Sequence, residues 1–292
     1  MRTHLRNGAV LAATTALALA LAACGTDSDP DTGSSGGGSD DTGSTDEAQP
    51  LSIAATPVPQ AEILQFVSDE LAADAGLELD IREVTDYVIP NNLVNDGDVD
   101  ANFFQHAPYL DEFNSAEGTD IVPVINVHLE PLGLFSNDAT SVEDLGDGAT
   151  IAIPNDATNE GRALHLLADA GLIELAEDAG PDATPADVTE ANGLSFQELE
   201  AASLPRALED FDAAVINGNF ALEAELVPAE DALVLEEADG NPYANFLAVK
   251  AGNEDDPRVQ TLAELLNSDE VRQFIEDEYQ GSVIPAFGTP AS

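Results

Sequence analysis

The sequence predicts an α/β protein of two lobes, with a chain that crosses between the lobes twice. From residue 51 onward, short β-like runs alternate with amphipathic helical runs, which is the pattern of α/β folds. This part of the chain is long enough for one large or two medium domains with cores of their own. We place the crossings near residues 133–140 and 241–246. Lobe 1 is then predicted to comprise residues 51–135 and 246–292, and lobe 2 residues 136–245.

Lobe 1 is predicted to begin with a strand at residues 51–55 and a helix at residues 61–73. Ile63, Leu64 and Val67 recur at helical spacing and mark the buried face of that helix. Further strands are predicted at 77–84, 100–104 and 121–127, with a helix at 108–117.

Lobe 2 is predicted to contain a helix at residues 158–170, which Gly171 ends. Its strands are predicted at 149–153, 194–199 and 213–216. The chain then returns to lobe 1 through a strand at 245–249 and two helices at 257–266 and 269–279. Pro257 and Ser268 are residue types that favour the starts of these helices.

The first 23 residues predict a secretory signal peptide. Arg2 and Arg6 are followed by an uncharged apolar run from Ala9 to Ala22, which is too short to span a membrane. The run ends at Cys24, the only cysteine, in the small-residue pattern at which bacterial lipoprotein signals are cut. We therefore predict that Cys24 carries a lipid; the alternative is a buried cysteine in an ordinary core helix.

Residues 24–50 are predicted to be a flexible tether behind the lipid. After Cys24 the segment is rich in Gly, Ser and Asp and has no large apolar side chain, so it cannot bury enough surface to offset the entropy of ordering it. Its typical end-to-end reach is roughly 25–30 Å. This arrangement predicts an extracytoplasmic protein held at the cell membrane by its lipid.

The charge balance of the chain excludes nucleic acid as a partner. Aspartate and glutamate number 57, against 8 lysines and arginines. Such a surface repels phosphate backbones. The acids are dispersed along the chain, so most are interpreted as solvated surface.

Arg162 is the basic residue with the strongest case for a function. It has no carboxylate three or four residues away, and we place it in the first turn of the helix that follows the strand Ile151–Ile153. A helix N-terminus with an arginine beside it suits a ligand carboxylate. The alternative is a surface arginine that pairs with a distant acid.

A second candidate cluster lies where a strand end meets a helix start, at residues 102–109. Phe103, Phe104 and Tyr109 fall within it, although the chain has only 11 Phe and 4 Tyr. Alternation places Phe103 and Phe104 on opposite faces of the strand, with Phe103 in the core. His106 precedes a helix N-terminus, so we expect it to be neutral.

Asn217 and Asn245 lie at strand ends, where an asparagine either forms a turn or accepts a hydrogen bond from a ligand ammonium group. His106, His128 and Glu130 are the side chains that could converge on a metal ion, but the histidine and cysteine spacings match no metal motif. No nucleophile motif or phosphate-binding loop is present in the sequence. We expect no metal, no cofactor and no enzymatic activity.

Five stretches carry a resemblance to a known family. The chain is similar over residues 51–287 to the NlpA/MetQ-type methionine-binding lipoproteins, in DYVIPNNLVNDGDVDANFFQHAPYLDEF, EPLGLFS, IAIPNDATNEGRALHLLADAGLIEL, LPRALEDFDAAVINGNFA and NPYANFLAV. The resemblance implies the two-lobed periplasmic-binding-protein fold (type II) with the ligand in the interlobe cleft. It also implies delivery of methionine, or a related small amino acid, to an ABC permease and its ATPase.

The resemblance also implies roles for single residues. Arg162, helped by Asn159, would pair with the ligand carboxylate. Asn217 and Asn245 would hold its amino and carboxyl ends. The pocket for the ligand side chain would be walled by Tyr87, Phe104, His106 and Tyr109. Glu130 departs from the relatives that have an aromatic residue there; its carboxylate would contact the ligand ammonium group or form part of the hinge surface.

Three alternatives stay open. In the first alternative, the ligand is D-methionine, a methionine-containing dipeptide or another apolar amino acid instead of L-methionine. A secreted enzyme would use His106 with Asp100 or Asp111 as an acid–base pair. A surface adhesion or scaffold lipoprotein would have no buried polar pocket and an exposed Arg162.

Overall fold

The computed structural model describes residues 50–290. The predicted signal peptide, Cys24 and the tether up to residue 49 lie outside the described residues. In the part of the chain that is described, no helix combines the length and the apolar composition needed to cross a membrane.

Strands and helices alternate along the described chain. The strands are β1 (Leu51–Ala55), β2 (Leu79–Glu83), β3 (Ala101–His106), β4 (Ile121–Leu129), β5 (Gly133–Phe135), β6 (Thr150–Pro154), β7 (Glu174–Leu175), β8 (Val188–Glu190), β9 (Ser195–Leu199), β10 (Ala213–Ile216), β11 (Val234–Leu235), β12 (Asn245–Lys250) and β13 (Ile284–Gly288). The α-helices are α1 (Glu62–Glu70), α2 (Ile89–Asp96), α3 (Ala107–Glu117), α4 (Ala157–Asp169), α5 (Leu204–Ala207), α6 (Gly218–Glu223), α7 (Pro228–Asp231), α8 (Pro257–Leu266) and α9 (Asp269–Tyr279).

The first sheet has six strands in the order β13-β4-β12-β3-β1-β2. β1 pairs in parallel with β2 and β3, whereas β12 pairs antiparallel with β3 and β4. Helices cover both faces. α1, α8 and α9 pack on one face through a core that includes Phe103, and α2 and α3 pack on the other, where Phe104 lies. The predicted division of Phe103 and Phe104 between opposite faces is confirmed.

The second sheet has five strands in the order β11-β5-β10-β6-β9. β6 pairs in parallel with β9 and β10, and β5 pairs antiparallel with β10 and β11. α4 packs on one face through Leu164 and Leu167, and α5 and α6 pack on the other through Leu204 and Phe220. Each sheet therefore lies between two layers of helix, as expected for an α/β fold.

The chain passes between the two sheets twice, at residues 130–132 and 236–244. The first passage comes earlier than the predicted crossing at 133–140. Gly133–Phe135, which we predicted in lobe 1, pairs with strands of the second sheet. A strand of three residues is too short to show the alternation by which strands are recognised.

Every strand and helix predicted from periodicity is present, with ends shifted by up to three residues. The elements that were not predicted are α2, the short helices α5, α6 and α7, the strands of two or three residues β5, β7, β8 and β11, and the five-residue strand β13. α2 begins with Pro90 near its start and ends at Gly97, which is left-handed with φ +77°. Proline near the start of a helix and glycine just after its end are residue types that favour those positions.

Candidate functional site

A cavity lies between the two sheets, at the carboxyl ends of β3, β6 and β10. The helices α3, α4 and α6 begin at the same three points. Carboxyl ends of strands in open α/β sheets are where ligands bind. All eight residues predicted as ligand contacts line this one cavity, namely Tyr87, Phe104, His106, Tyr109, Asn159, Arg162, Asn217 and Asn245. Gln105, Glu130, Gly218 and Asn219 complete the wall.

The open space inside this wall is only about 20 Å³, so the side chains are closed in around the site. Sites that hold a small molecule typically enclose about 300–1,000 Å³, so the walls have to move apart to admit a ligand. The wall combines aromatic rings with amide and charged groups. The cavity therefore suits a small ligand with an apolar and a polar end.

Arg162 is buried, with 4% of its surface exposed, and it is already paired. Its Nε donates to Oε1 of Glu236 over 2.8 Å, and its Nη2 donates to Oε2 over 2.5 Å. Nη2 also donates to the main-chain oxygen of Glu130 over 2.9 Å. We expected an arginine in the first turn of its helix with no nearby carboxylate; it lies in the second turn of α4, and its partner is 74 residues away.

The pair with Glu236 leaves one end of the guanidinium available. Among the described residues, Nη1 of Arg162 has no hydrogen-bond partner. The ring of Tyr243 stacks over the guanidinium carbon, with its centroid 4.2 Å away. A charge-assisted pair of this geometry is strong, and it holds the plane of the guanidinium fixed. Arg162 is therefore an oriented donor whose remaining N–H groups suit a carboxylate.

Glu236 also connects the two passages between the sheets. Its Oε2 accepts from the main-chain N–H of Leu132 over 3.1 Å. Glu236 lies in the second passage, and Leu132 and Glu130 lie in the first. Arg162 bonds to both passages, through Glu236 and the Glu130 main chain. The arginine thus sits at the point where the two connections meet.

His106 is a neutral hydrogen-bonding group in this site. Its Nδ1 accepts from the main-chain N–H of Tyr109 over 3.3 Å, at the N-terminus of α3. Nε2 therefore carries the proton, and it donates to Oδ1 of Asn159 over 3.3 Å. Burial, with the positive charge of Arg162 as a second cause, lowers the pKa of His106 from 6.5 to about 3. The expected neutral state of His106 is confirmed.

The depressed pKa of His106 predicts an acid-sensitive contribution to stability. The unfolded chain takes up a proton below about pH 6.5, whereas the folded chain does not, so this stability is present above that pH and lost as the pH falls toward 3. Between pH 7.5 and pH 5 the loss is about 2 kcal/mol.

The measurement is urea unfolding of the wild type and His106→Gln at both pH values. We expect the variant to lose about 2 kcal/mol less than the wild type on acidification. His165→Gln, a histidine outside the cavity, is the matched control and should follow the wild type. An identical pH dependence in the wild type and His106→Gln would contradict the prediction.

Asn159 joins side chains from both sheets. Its Oδ1 accepts from His106 and, over 2.9 Å, from Nδ2 of Asn217. Its Nδ2 donates to Asp156 over 2.7 Å, and the Asp156 carboxylate caps the start of α4. The amide is thus occupied by protein partners, which gives Asn159 a positioning task in this structure.

Two buried amide atoms in the cavity wall have no hydrogen-bond partner among the described residues. They are Oδ1 of Asn217, an acceptor, and Nδ2 of Asn219, a donor. Buried polar atoms are almost always paired, so an unpaired acceptor and donor lining one cavity indicate a ligand with the complementary groups. An ammonium and a carboxylate are such groups.

A second polar network lies beside Asn245. Nε2 of Gln60 donates to Oε1 of Glu130 over 2.5 Å and to Oδ1 of Asn245 over 3.1 Å. Nε2 of His128 lies 2.8 Å from the same Glu130 oxygen. All four side chains are buried. The network holds Asn245 and the Glu130 carboxylate in place, and both line the cavity.

Aromatic rings form a further part of the cavity wall. The Tyr87 ring lies 5.9 Å from the rings of Phe104 and Tyr109 and 5.0 Å from that of Phe220. Its hydroxyl donates to Oδ1 of Asn219 over 2.5 Å. Phe220 and Asn219 belong to α6, on the side of the second sheet. Tyr87 therefore carries contacts from the first sheet to the second across the apolar end of the cavity.

Sequence reasoning missed several residues of the site. Glu236 is one of 57 acids, and only its contact with Arg162 distinguishes it. Gly218 and Asn219 follow Asn217 directly at the end of β10. Because Asn217 was predicted to contact the ligand, its two neighbours could have been predicted as part of the site as well. A Cβ atom at Gly218 would lie 2.9 Å from the Cβ of Glu130, so glycine lets α6 approach the first passage.

The positions of these residues do not support the enzyme alternative or the adhesion alternative. Asp100 is bonded to Ser52 and Arg258, and Asp111 is exposed, so neither forms a pair with His106. Residues 50–290 contain no group of three or more His, Cys, Asp and Glu side chains that could hold a metal ion. Arg162 is buried in a polar cavity rather than exposed, which is the opposite of what the adhesion alternative predicts.

Comparison with known proteins places these features in a family. The family model described as NlpA lipoprotein matches residues 51–287. The chain is 44% identical over 230 residues to the membrane lipoprotein TpN32 of Treponema pallidum, covering 78% of this chain and 85% of that protein. It is 39% identical over 239 residues to the methionine-binding lipoprotein MetQ of Bacillus subtilis, covering 80% and 86%.

Solved structures of related proteins support the same family and fold. A nutrient binding protein from Burkholderia cenocepacia bound to methionine superposes with a TM-score of 0.78 at 41% identity. The match covers 81% of this chain and 100% of that one. The predicted resemblance and the predicted two-lobed binding-protein fold are both confirmed.

Proposed function

The chain belongs to the NlpA lipoprotein family, and on this premise we propose that it is the substrate-binding lipoprotein of an ABC importer that binds methionine between its lobes. The observation that carries the proposal is the cavity itself. One lining combines an oriented arginine, two unpaired amide atoms and a cluster of aromatic rings. A free amino acid with an apolar side chain has the complementary arrangement of groups.

The carboxylate of the ligand is proposed to bind Arg162. The guanidinium offers Nη1, which has no hydrogen-bond partner in residues 50–290. Hydrogen bonds to charged groups contribute about 1.5–3 kcal/mol each. Asn159, which we predicted as a direct contact, is proposed to act by positioning His106 and Asn217.

The ammonium group of the ligand is proposed to donate to Oδ1 of Asn217. The nearby Glu130 carboxylate adds negative potential on the same wall of the cavity. Because Arg162 is already neutralised by Glu236, a zwitterion leaves the charge balance of the site unchanged. A ligand with a net charge does not, and this favours free amino acids with uncharged side chains.

The side chain of the ligand is proposed to lie against Tyr87, Phe104 and Tyr109. Burial of a methionine side chain contributes about 1.5–3 kcal/mol. Contacts between the thioether and aromatic rings add about 0.3–1.5 kcal/mol, a contribution that leucine or valine cannot make. Together with the polar contacts, and after the cost of association, these contributions fit binding at micromolar concentration or below.

Transport is proposed to proceed by closure of the two lobes around the ligand, with the hinge at residues 130–132 and 236–244. The bonds from Tyr87 to Asn219 and from His106 to Asn159 cross the cleft. A ligand that bridges the same walls favours the closed state, because it binds that state better. The lipid on Cys24 would hold the protein at the outer side of the cell membrane, where the permease takes up the ligand.

The test is native mass spectrometry of the purified protein, followed by calorimetric titration with L-methionine after unfolding and refolding to remove bound ligand. We expect a bound mass equal to that of methionine and a Kd in the micromolar range or below. D-methionine, glycyl-methionine and leucine are titrated in parallel. A folded protein that binds none of the four contradicts the proposal and favours the adhesion alternative.

A further inference from the structure

The ring of Tyr243 touches one side chain on each side of the cleft. Tyr243 lies in the second passage between the sheets. Its ring centroid is 4.2 Å from the guanidinium carbon of Arg162, on α4. The same ring meets the ring of His106, at the end of β3, edge to face at 5.0 Å. The ring therefore contacts two residues that line the cavity, but it does not line the cavity itself.

A separate surface groove of about 590 Å³ lies on the other side of this ring. Tyr243, Leu166, Ala179 and Leu235 are among its walls. Arg162 borders both the groove and the ligand cavity, whereas Tyr243 borders the groove and not the cavity. The guanidinium and the stacked ring are therefore the partition between the two spaces.

We propose that Tyr243 is a specificity-determining residue that closes the carboxylate end of the ligand cavity. With the ring in place, the site accepts a free amino acid and rejects one that is extended beyond its carboxyl carbon. The inference rests on the proposed function, in which Arg162 binds the ligand carboxylate.

The partition acts in two ways. A ligand extended by an amide bond has to displace the ring from the guanidinium, which breaks a cation–π contact and the contact with His106. The extended ligand also lacks the carboxylate at the position where Arg162 offers its free donor. Rejection therefore has a steric part, which depends on Tyr243, and an electrostatic part, which does not.

The charges of the groove decide which extension is suitable as a probe. Asp169, Glu236 and Glu237 line it, against Arg162 and His165. Because Glu236 already neutralises Arg162, a second carboxylate in the groove would be repelled by the remaining acids. A neutral extension meets no such repulsion. L-methionylglycinamide, which ends in a neutral amide, is therefore the appropriate probe.

Phenylalanine offers a matched control at this position. Among the described residues, the Tyr243 hydroxyl has no hydrogen-bond partner, and the main-chain N–H bonds independently to Asn241 over 2.9 Å. Tyr243→Phe keeps the ring and removes only the hydroxyl. Tyr243→Ala removes the ring and joins the cavity to the groove. Comparison of the two variants thus separates the effect of the aromatic ring from the effect of the hydroxyl group.

The experiment is calorimetric titration of the full chain, purified in detergent, with L-methionine and with L-methionylglycinamide. We expect the wild type to prefer methionine over the amide by at least about 100-fold, because the amide loses both a charge-assisted contact and the steric fit. Tyr243→Phe should keep this preference. In Tyr243→Ala we expect methionine binding to weaken by about 2- to 30-fold through loss of the cation–π contact. Its preference over the amide should fall at least about tenfold, since the steric part of the rejection is gone.

The outcomes separate the two proposals. A wild type that binds methionine, with an unchanged preference in Tyr243→Ala, overturns the inference alone. A preference that falls equally in Tyr243→Phe overturns it too, because the ring would then not be the cause. A folded wild type that binds neither compound overturns the proposed function, and the inference with it.

Discussion

Replacing Arg162 by alanine is expected to weaken L-methionine binding by about 100- to 1000-fold and to lower the free energy of unfolding by about 3–5 kcal/mol. The binding loss follows because the truncated side chain is the oriented donor for the ligand carboxylate. The stability loss has a different origin. Glu236, whose side chain is 15% exposed, is left as a partly buried carboxylate without its partner, and such a charge is costly.

A double variant separates the two effects. Arg162→Met with Glu236→Gln removes both charges while keeping side chains of similar volume. We expect most of the stability to return, because replacing a buried ion pair by uncharged groups is often neutral. Methionine binding should stay lost. Urea unfolding gives the stability and calorimetric titration gives the affinity of each protein.

Arg162→Lys is the conservative control. Lysine keeps the positive charge, but it cannot bond to both Glu236 oxygens and still present a fixed N–H group to a ligand. Its affinity for methionine should therefore lie between those of the wild type and the alanine variant. An Arg162→Ala protein that binds methionine with wild-type affinity would show that another group holds the carboxylate.

The regular elements of the fold could be predicted because their signals are local. The helices at Pro257–Leu266 and Asp269–Tyr279 have the predicted ends, since a proline or a serine cap marks each start. β5 and β11 were missed because strands of two or three residues have no periodicity. Their existence depends on pairing with β10 and with each other, which is information carried by distant parts of the chain.

The site could be predicted only as far as single residues stand out. Arg162 was noticeable because basic residues are rare in this chain, and the Phe104–Tyr109 region because aromatic residues are rare. The residues that pair with these side chains could not be predicted in this way. The Arg162–Glu236 contact joins residues 74 apart, and the Tyr87–Asn219 contact joins residues 132 apart. In a sequence with 57 acids, no local pattern singles out the one that the fold brings to Arg162.

Gly161, the neighbour of Arg162 on α4, gives the sharpest test of how tightly the second sheet is packed. Helix propensity by itself favours Gly161→Ala, because alanine is favoured over glycine inside a helix by about 1 kcal/mol. The structure predicts the opposite. A Cβ atom at Gly161 would lie 2.0 Å from the main-chain oxygen of Pro181 and 2.8 Å from the nitrogen of Ala183. The backbone of the 181–183 segment would have to move away from the helix.

We therefore expect Gly161→Ala to lower the free energy of unfolding by about 3 kcal/mol, at the upper end of the usual cost of overpacking. For a chain of this size, this corresponds to a decrease in Tm of about 6–12 °C. Gly180→Ala is the matched control, because it lies in the same loop and a Cβ atom there meets nothing within 4 Å. Its Tm should stay within about 2 °C of the wild type. A Gly161→Ala protein with a raised Tm would mean that the loop does not lie against α4 at Gly161, and the groove beside Tyr243, which Pro181 also lines, would then have a different shape.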